Sequence, residues 1–197
     1  MNQTHASANN AATIELVLPE LRIEDHATQT PFGRMVVPGH NIPEKRIAVD
    51  AAQVKQLMTS AREATKKGYA PFSKFHVGAA VIMADDPEQK IYTGANSENS
   101  CLNCGCCAER SAIFAAVSNG FRRIRYVAVS CANALDLPLN ERSPCGECRQ
   151  AIKEFTDHDA VNAETLIFVD NGDDDTLCEV LDIERLLPYS FKLNAAE

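Results

Sequence analysis

The placement of three cysteines constrains this chain more than any other feature of its sequence. Cys107 stands at the start of one predicted helix, while Cys145 and Cys148 stand at the start of another, in a Pro-Cys-Gly-Glu-Cys segment. Three thiolates can occupy three corners of a zinc tetrahedron. Structural zinc sites usually have four protein ligands, whereas catalytic sites leave the fourth position to water. The sequence therefore predicts zinc bound by Cys107, Cys145 and Cys148, with an open position.

The residues around the second helix start support this prediction. Ser143 is a good N-cap, and Pro144 suits the first helical position, where no N–H is needed. Because Cys145 and Cys148 are three residues apart, they share one face of the first turn. The N-termini of both helices would direct positive dipole ends at one metal, which favours thiolate over thiol.

Glu109 lies two positions after Cys107. Residues two apart do not face each other on a helix, so both can serve one centre only if metal and substrate lie over the helix end. Arg110 is the adjacent cation. Three thiolates leave a zinc centre at −1, and a guanidinium about 4 Å from a thiolate contributes roughly 4 kcal/mol at an effective dielectric near 20.

The cysteines also fit a structural zinc knuckle, a redox pair, an iron–sulfur cluster or disulfides. The dense run Cys101, Cys104, Cys106 and Cys107 matches neither ferredoxin spacing, and the first three of these are expected to be small apolar fillers near a tight turn. Eight cysteines among 197 residues is sparse for a disulfide scaffold, so reduced thiols are predicted.

Composition limits the class of protein and of partner. Hydrophobic residues make up 45% and charged residues 23%, as in soluble globular domains. No apolar run reaches a membrane-spanning length, and residues 1–13 lack the pattern of a signal peptide, so a cytoplasmic protein without membrane contact is expected. The net charge is −8 and the basic residues cluster no further than doublets, which argues against nucleic-acid binding and for a small uncharged substrate.

The hydrophobic pattern predicts an α/β fold. Asp50 with Gln53 resembles a capping box before a helix that ends near Gly68. Strands are predicted at residues 77–84, 90–95, 124–131, 165–169 and 177–180, with one helix from Cys107 to Gly120 and another starting at Cys145. Strands that alternate with helices imply a central sheet covered on both faces. Residues 1–43 are predicted to be an extension, with a short strand or arm, and residues 44–197 the catalytic domain.

Residues 47–191 closely resemble the cytidine deaminase family, in its small tetrameric type with three cysteine zinc ligands. The resemblance rests on the following segments, in order: Tyr-Ala-Pro-Phe-Ser-Lys-Phe from residue 69, Val-Gly-Ala-Ala from 77, Thr-Gly-Ala-Asn-Ser-Glu-Asn from 93, Cys-Ala-Glu-Arg from 107, Ser-Pro-Cys-Gly-Glu-Cys-Arg-Gln from 143, and Leu-Leu-Pro-Tyr-Ser-Phe from 186. It implies a three-layer α/β/α fold around a five-stranded mixed sheet, and hydrolysis of cytidine and deoxycytidine.

The resemblance also implies a role for the central residues. Glu109 would be the catalytic acid and base, moving a proton from water to N3 of cytosine and then to the leaving ammonia. The backbone of Ala108 would meet the pyrimidine edge. Arg110 matches a family arginine that bonds to the zinc cysteines; the alternative is a surface helix arginine.

The remaining implied contacts surround the nucleoside. Asn96 and Glu98 match residues that bind the sugar 3′-hydroxyl, Phe75 an aromatic beside the base, and Phe191 a C-terminal phenylalanine that reaches a neighbouring subunit's pocket in a homotetramer. Leu102 departs from the family, which often has an aromatic there. Two alternatives stay open: a deaminase of another cytosine nucleoside, such as blasticidin S, and a zinc-stabilised binding module without turnover.

Overall fold

A computed structural model of the protein describes residues 13–156, 165–172 and 178–191. Two predictions fall partly outside these ranges. They concern residues 1–12, within the segment that lacks the pattern of a signal peptide, and Leu177, at the start of the last predicted strand. The described elements, in chain order, are β1 (Thr13–Leu18), β2 (Leu21–Ile23), β3 (His26–Thr30), β4 (Gly33–Val37), β5 (His40–Ile42), β6 (Lys45–Asp50), α1 (Ala51–Thr65), β7 (Val77–Met83), β8 (Ile91–Ala95), α2 (Ala108–Ser118), β9 (Ile124–Cys131), α3 (Leu139–Arg142), α4 (Gly146–Thr156), β10 (Leu166–Val169), β11 (Glu179–Asp182) and α5 (Ile183–Leu186).

The central sheet has five strands in the order β11-β10-β9-β7-β8. β9 and β10 are parallel and the other neighbours antiparallel, so the sheet is mixed. Alternate residues of β7 face opposite layers: Val81 packs with α2 and α4, whereas Ile82 packs with α1. The predicted three-layer α/β/α fold with a five-stranded mixed sheet is confirmed.

Helix α1 begins where the sequence predicts. The Asp50 side chain accepts hydrogen bonds from the backbone N–H groups of Ala52 and Gln53, at 2.9 and 3.2 Å. The Gln53 side chain donates to Oε1 of Gln89 at 2.6 Å, so it ties the helix start to the turn before β8 instead of closing a capping box.

Two glycines let the helices lie directly on the sheet. A Cβ atom at Gly78 of β7 would clash with the backbone of Ala61 in α1, and one at Gly94 of β8 would clash with the carbonyl oxygen of Ala108 in α2. The first turn of α2 is therefore fixed against the end of β8, and the segment that follows β8 runs beside the start of α2.

Residues 13–50 form one long antiparallel ribbon, which we call the arm. Its ladders pair β1 with β6, β2 with β5 and β3 with β4. Leu18 and Val49 at its base are buried in the same core as α1, whereas residues 26–37 at its far end are exposed except for the partly buried Thr30. Among the residues described, no helix is both long and apolar enough to cross a membrane.

Candidate metal centre and active site

Cys107 is the N-cap of α2. Its backbone is extended, with φ −72° and ψ 155°, and its carbonyl oxygen accepts the first helical hydrogen bond from Ser111 N–H at 3.0 Å. The preceding residue, Cys106, exchanges two backbone hydrogen bonds with Ser97, both 2.9 Å long. Because Ser97 follows β8, this bridge ties the residue before Cys107 to the end of a sheet strand.

Helix α4 starts slightly later than the sequence predicts. It begins at Gly146, and the carbonyl oxygen of Cys145 accepts the first helical bond from Arg149 N–H at 2.9 Å. Ser143 and Pro144 are therefore outside the helix. The Arg149 guanidinium explains the difference, since it donates to the Pro144 carbonyl oxygen at 2.7 Å and to the Ser143 hydroxyl at 3.1 Å and holds both residues ahead of the helix.

The two helix starts bring the sulfur atoms of Cys107, Cys145 and Cys148 within 4.8 Å of one another. Cys107 Sγ lies 3.8 Å from Cys145 Sγ, which lies 3.6 Å from Cys148 Sγ. A tetrahedral zinc ion with Zn–S bonds of about 2.3 Å requires S···S separations of about 3.8 Å. The three thiols fit such an ion, and they are the one cluster of metal-binding groups among residues 13–156, 165–172 and 178–191.

The cluster stabilises negative charge on Cys107. The pKa of its thiol is lowered to about 5, first by a hydrogen bond with Cys148 and then by Arg110 and Cys145, against the opposing effect of burial. Arg110 Nη2 lies 3.9 Å from Cys107 Sγ and 2.9 Å from Glu147 Oε2. The arginine thus lies between a cysteine of α2 and a carboxylate of α4, and its side chain is mostly buried.

Glu109 lies in the interior at the start of α2, with 4% of its surface exposed. Burial raises the pKa of its carboxyl to about 7, and negative charge on Cys107 adds to this effect, while a hydrogen bond with Cys148 opposes it. Glu109 and the cysteines therefore meet over the helix end, which is the only geometry that residues two apart on a helix permit. A carboxyl with a pKa near neutrality can both accept and donate a proton.

Asn96 lies just after β8 and joins two backbone segments. Its Oδ1 accepts from Val77 N–H at 2.9 Å, and its Nδ2 donates to the Phe75 carbonyl oxygen at 2.7 Å. The Phe75 side chain is partly buried against the sheet face that carries α2. The structure therefore brings these two predicted substrate-binding residues together through a direct hydrogen bond.

Glu98 lies at the edge of the same region. Its carboxylate accepts hydrogen bonds from Phe72 N–H at 2.8 Å, from Ser73 N–H at 3.2 Å and from the Ser73 hydroxyl. The bond from Ser73 is the main reason that the pKa of Glu98 is lowered. Sequence reasoning missed Ser73 as a partner, although this residue lies within the segment from residue 69 on which the resemblance rests.

The other predicted site residues divide into buried and exposed ones. Ala108 is fully buried beside Gly94. Phe191 is 70% exposed, and its carbonyl oxygen accepts from Gln150 Nε2 at 3.0 Å, which places it beside α4. Leu102 is 83% exposed, in a single 3₁₀ turn of residues 102–104. In a single chain, both apolar side chains face solvent.

The expectation that the extra cysteines fill apolar space is wrong for Cys101 and Cys104, which are exposed; Cys106 is partly buried. The backbone of the 3₁₀ turn bonds within itself, from Cys104 N–H to the Cys101 carbonyl oxygen, and the Cys106–Ser97 bridge holds the chain just after it. No cysteine of the described residues forms a disulfide.

A buried glutamate beside three thiols, at two helix starts on one side of an α/β sheet, is the arrangement of zinc-dependent deaminases that act on nucleobases and nucleosides. Residues 51–164 match the family described as the cytidine and deoxycytidylate deaminase zinc-binding region. The chain belongs to this family, as its sequence motifs predict.

Individual relatives agree. The chain is 38% identical over 138 residues to the cytidine deaminase of Sporosarcina psychrophila, covering 70% of this chain and 90% of that one. Identity to the Halalkalibacterium halodurans cytidine deaminase is 34% over 137 residues, covering 70% and 92%. The crystal structure of the Burkholderia pseudomallei cytidine deaminase is similar at a TM-score of 0.56 and 31% identity, covering 69% of this chain and 97% of that one. The Mycobacterium leprae cytidine deaminase structure is similar at 0.52 and 31%, covering 68% and 95%.

Proposed function

We propose that the protein hydrolyses cytidine and deoxycytidine to uridine and deoxyuridine with release of ammonia. The observation that carries this proposal is the buried Glu109 carboxyl, with a pKa near 7, beside three thiols at zinc-binding distances. A structural zinc site does not need such a carboxyl. The relatives described above bear the name cytidine deaminase, which supports the nucleoside as substrate.

Cys107, Cys145 and Cys148 would hold the zinc, which supplies Lewis-acid activation of a water molecule when bound. Arg110 supports the ligand set because its guanidinium, 3.9 Å from Cys107 Sγ, offsets part of the negative charge of three thiolates. Its ion pair with Glu147 keeps the guanidinium in place between the two helices.

Glu109 moves the protons of the reaction. The carboxylate accepts a proton from the attacking water and delivers it to N3 of the cytosine ring, while oxygen adds to C4. Glu109 then takes the remaining proton from the oxygen that has added to C4 and transfers it to the exocyclic amine, which leaves as ammonia. Burial serves this cycle, since it brings the pKa of Glu109 close to neutrality and makes both protonation states accessible.

Asn96 and Glu98 bind the sugar 3′-hydroxyl. Their hydrogen bonds within the chain leave capacity for this role, because an amide oxygen and each carboxylate oxygen accept more than one hydrogen bond, and the amide nitrogen has a second hydrogen. The bonds from Val77 and Ser73 orient both groups before substrate binds. Phe75 contacts the base, and the Ala108 backbone bonds to the pyrimidine edge.

The active form is a homotetramer in which Phe191 reaches the pocket of a neighbouring copy. Phe191 and Leu102 are exposed in the single chain, so both side chains are available for contact with neighbouring copies, which supports this assembly. We also propose that residues 44–197 are the catalytic domain with residues 1–43 as an extension. The protein is cytoplasmic and serves pyrimidine salvage, with no nucleic acid or membrane as partner.

Spectrophotometry of the purified, zinc-loaded protein tests the proposed function. Cytidine and deoxycytidine should both lose absorbance as they are converted to uridine and deoxyuridine, and free cytosine should not be converted at a comparable rate. Blasticidin S is the comparison substrate. Conversion of blasticidin S with none of cytidine would replace the proposed substrate, and conversion of neither would contradict deaminase activity.

A further inference from the structure

The far end of the arm is a hairpin with which no other described strand pairs. Among residues 13–156, 165–172 and 178–191, strands β3 and β4 pair only with each other, and residues 26–37 are exposed apart from the partly buried Thr30. An isolated two-stranded hairpin is marginally stable in water and needs further strands or packing against another element. Both outer edges also present unpaired backbone groups, which are a template for association. The hairpin therefore has the properties of an element that docks.

One face of the hairpin carries two large apolar side chains, beside His26 and Thr28, and the turn carries a third. Met35 pairs with Thr28 and Val37 with His26, so Met35 and Val37 point to the same face, whereas Val36 points to the opposite face. Met35 is 67% exposed and Phe32, in the turn, is 100% exposed. An aromatic side chain alone offers about 150–250 Å² for burial, so Phe32 by itself supplies roughly a quarter of the ~800 Å² that each partner contributes to a standard interface.

The hairpin lacks the acidic residues that dominate the rest of the chain. Residues 26–37 contain no Asp or Glu and one basic residue, Arg34, whereas the whole chain has a net charge of −8. Acidic bodies repel one another, and the hairpin is a segment that can approach another copy of this chain without that repulsion. A single arginine is a weak attraction for an anionic membrane surface, where clusters of several basic residues are usual.

The middle of the arm, around β2 and β5, lies against the C-terminal segment that carries Phe191. The Tyr189 hydroxyl donates to the carbonyl oxygens of Pro38 and Gly39, at 2.9 and 3.2 Å, and its ring contacts that of His40 with centroids 5.4 Å apart. Arg185 donates to the Pro19 carbonyl oxygen. The hairpin therefore extends from the same place as the phenylalanine that is proposed to enter a neighbouring copy.

We propose that the hairpin of residues 26–37 docks onto a second copy of this chain through Phe32, Met35 and Val37. This proposal rests on the proposed assembly and goes beyond it by naming a segment outside the catalytic domain that holds the copies together. Burial of the apolar face stabilises the hairpin, and the contact links the arm of one copy to a neighbour beside the site that Phe191 completes.

Paired serine substitutions test the docking face without adding charge. Met35→Ser combined with Val37→Ser removes the large apolar side chains from one face, whereas Ala27→Ser combined with Val36→Ser makes two such changes on the opposite face. Light scattering over a dilution series should show the Met35→Ser and Val37→Ser variant dissociating at a concentration about tenfold or more above that of the wild type, since central apolar contacts carry most interface energy. The Ala27→Ser and Val36→Ser control should behave as wild type. Equal assembly of wild type and the Met35→Ser and Val37→Ser variant would overturn the proposal.

A tryptophan reporter measures the docking directly. The chain contains no tryptophan, so Phe32→Trp provides a single probe at the hairpin tip and Gln29→Trp a matched probe on the Val36 face. Emission of the Phe32→Trp variant should shift to the blue as the protein assembles and return on dilution, and emission of the Gln29→Trp variant should stay that of an exposed indole. A hairpin-tip probe that is exposed in the assembled protein, or buried independently of concentration, would overturn the proposal.

Two controls separate this proposal from its competitors. Neutral phosphatidylcholine vesicles should leave the emission of the assembled Phe32→Trp variant unchanged; a blue shift with vesicles and none with protein concentration would assign the hairpin to a membrane. Cytidine turnover is measured in parallel. A wild type that assembles through the hairpin but does not convert cytidine would contradict the proposed function alone. An active protein whose hairpin-tip probe stays exposed would contradict the hairpin proposal alone.

Discussion

Two carboxylates of the site show opposite environments. Glu109 lies on the floor of the site, among the three cysteines, where burial raises its pKa to about 7. Glu98 lies on the rim, formed with Ser73, Phe75 and Asn96, where donors from Ser73 and Phe72 lower its pKa. The floor therefore holds a carboxyl ready to exchange protons, and the rim holds one that stays ionised.

The two environments suit two different chemical roles. A proton carrier needs both of its protonation states near neutral pH, which desolvation provides. A group that holds a hydroxyl needs a fixed acceptor, which hydrogen-bond donors provide. The two glutamates therefore suit the two proposed roles, because one is buried at a helix start and the other is bonded to a loop.

Removal of a floor cysteine should have the largest effect. Cys148→Ser should reduce zinc from about one per chain to a small fraction of that and abolish cytidine turnover, because a site with two thiolates binds the metal far more weakly. Cys131→Ser is the matched control: Cys131 is buried, and burial raises its pKa to about 12, so it stays a thiol outside the cluster. Metal analysis and turnover of both variants decide this, and zinc retention by Cys148→Ser would contradict the ligand set.

Glu109→Gln, on the floor, should retain zinc and lose about 10³–10⁴-fold in kcat, because the amide cannot carry a proton. Its rim counterpart, Glu98→Gln, should keep most of kcat and lose affinity. Steady-state kinetics of both variants compare the two positions directly. Losses of similar size in kcat would mean that floor and rim do not differ in the way proposed.

Much of the floor is predictable from the sequence, because the residues at each of its two helix starts are close to one another along the chain. Cysteine spacing, a helix start and the position of Glu109 all lie within a few residues of one another, and the pattern predicts strand β9 at its observed bounds. The predicted start of α4 is slightly too early, since the hold of Arg149 on Ser143 and Pro144 depends on the path of the chain before the helix.

The rim and the arm depend on contacts between residues that are distant in the chain. Ser73 meets Glu98 across 25 residues, and no local pattern indicates that pair. Four prolines interrupt the arm sequence and few of its apolar residues alternate, so the pattern predicts no more than a short strand or arm. The exposure of Cys101 and Cys104 is missed because free cysteine is usually buried.

The pH dependence of stability should have opposite signs for floor and rim. In metal-free protein, folded Glu109 binds its proton up to a pKa of about 7, against 4.5 ordinarily. Wild type therefore loses unfolding free energy relative to Glu109→Gln as the pH rises from about 4.5 to about 7, by about 3 kcal/mol in all. The lowered pKa of Cys107 acts in the opposite direction above pH 5 in both proteins, and because the two groups interact it cancels only in part.

For Glu98, whose pKa is lowered, the sign reverses. Its ionised form stabilises the folded chain above the ordinary pKa, and that contribution is lost as the pH falls through the lowered value. Urea titrations of metal-free wild type, Glu109→Gln and Glu98→Gln at several pH values provide the three curves. A difference curve for Glu109→Gln that stays flat from about pH 4 to about pH 8 would mean that this carboxyl is not desolvated.

Loss of the 3′-hydroxyl contact should be smaller than the floor effects. Asn96→Ala or Glu98→Ala should reduce kcat/KM for cytidine by about tenfold to a hundredfold, since a substrate hydroxyl deprived of its partner is penalised. With a 3′-deoxy analogue as substrate, kcat/KM of the wild type should fall by a similar factor, and kcat/KM of the variants should fall little further. Thr93→Ala, at an exposed residue of β8, is the control. Additive losses would show that the variants act through the fold of the rim and not through the sugar.

The smallest effect is expected where the arm holds the C-terminal segment. Tyr189→Phe removes the hydroxyl that donates to Pro38 and Gly39 and keeps the ring beside His40. A hydrogen bond of this kind contributes about 1 kcal/mol, so KM for cytidine should rise about two- to fivefold through a less well held Phe191, with kcat unchanged. Tyr92→Phe is the matched control, because it removes a hydroxyl bonded to Asp86 within the core; it should lower stability and leave KM as it is. If Tyr189→Phe also leaves KM unchanged while Phe191→Ala raises it, the arm does not position the phenylalanine, and the C-terminal segment is held by its contact with Gln150 instead.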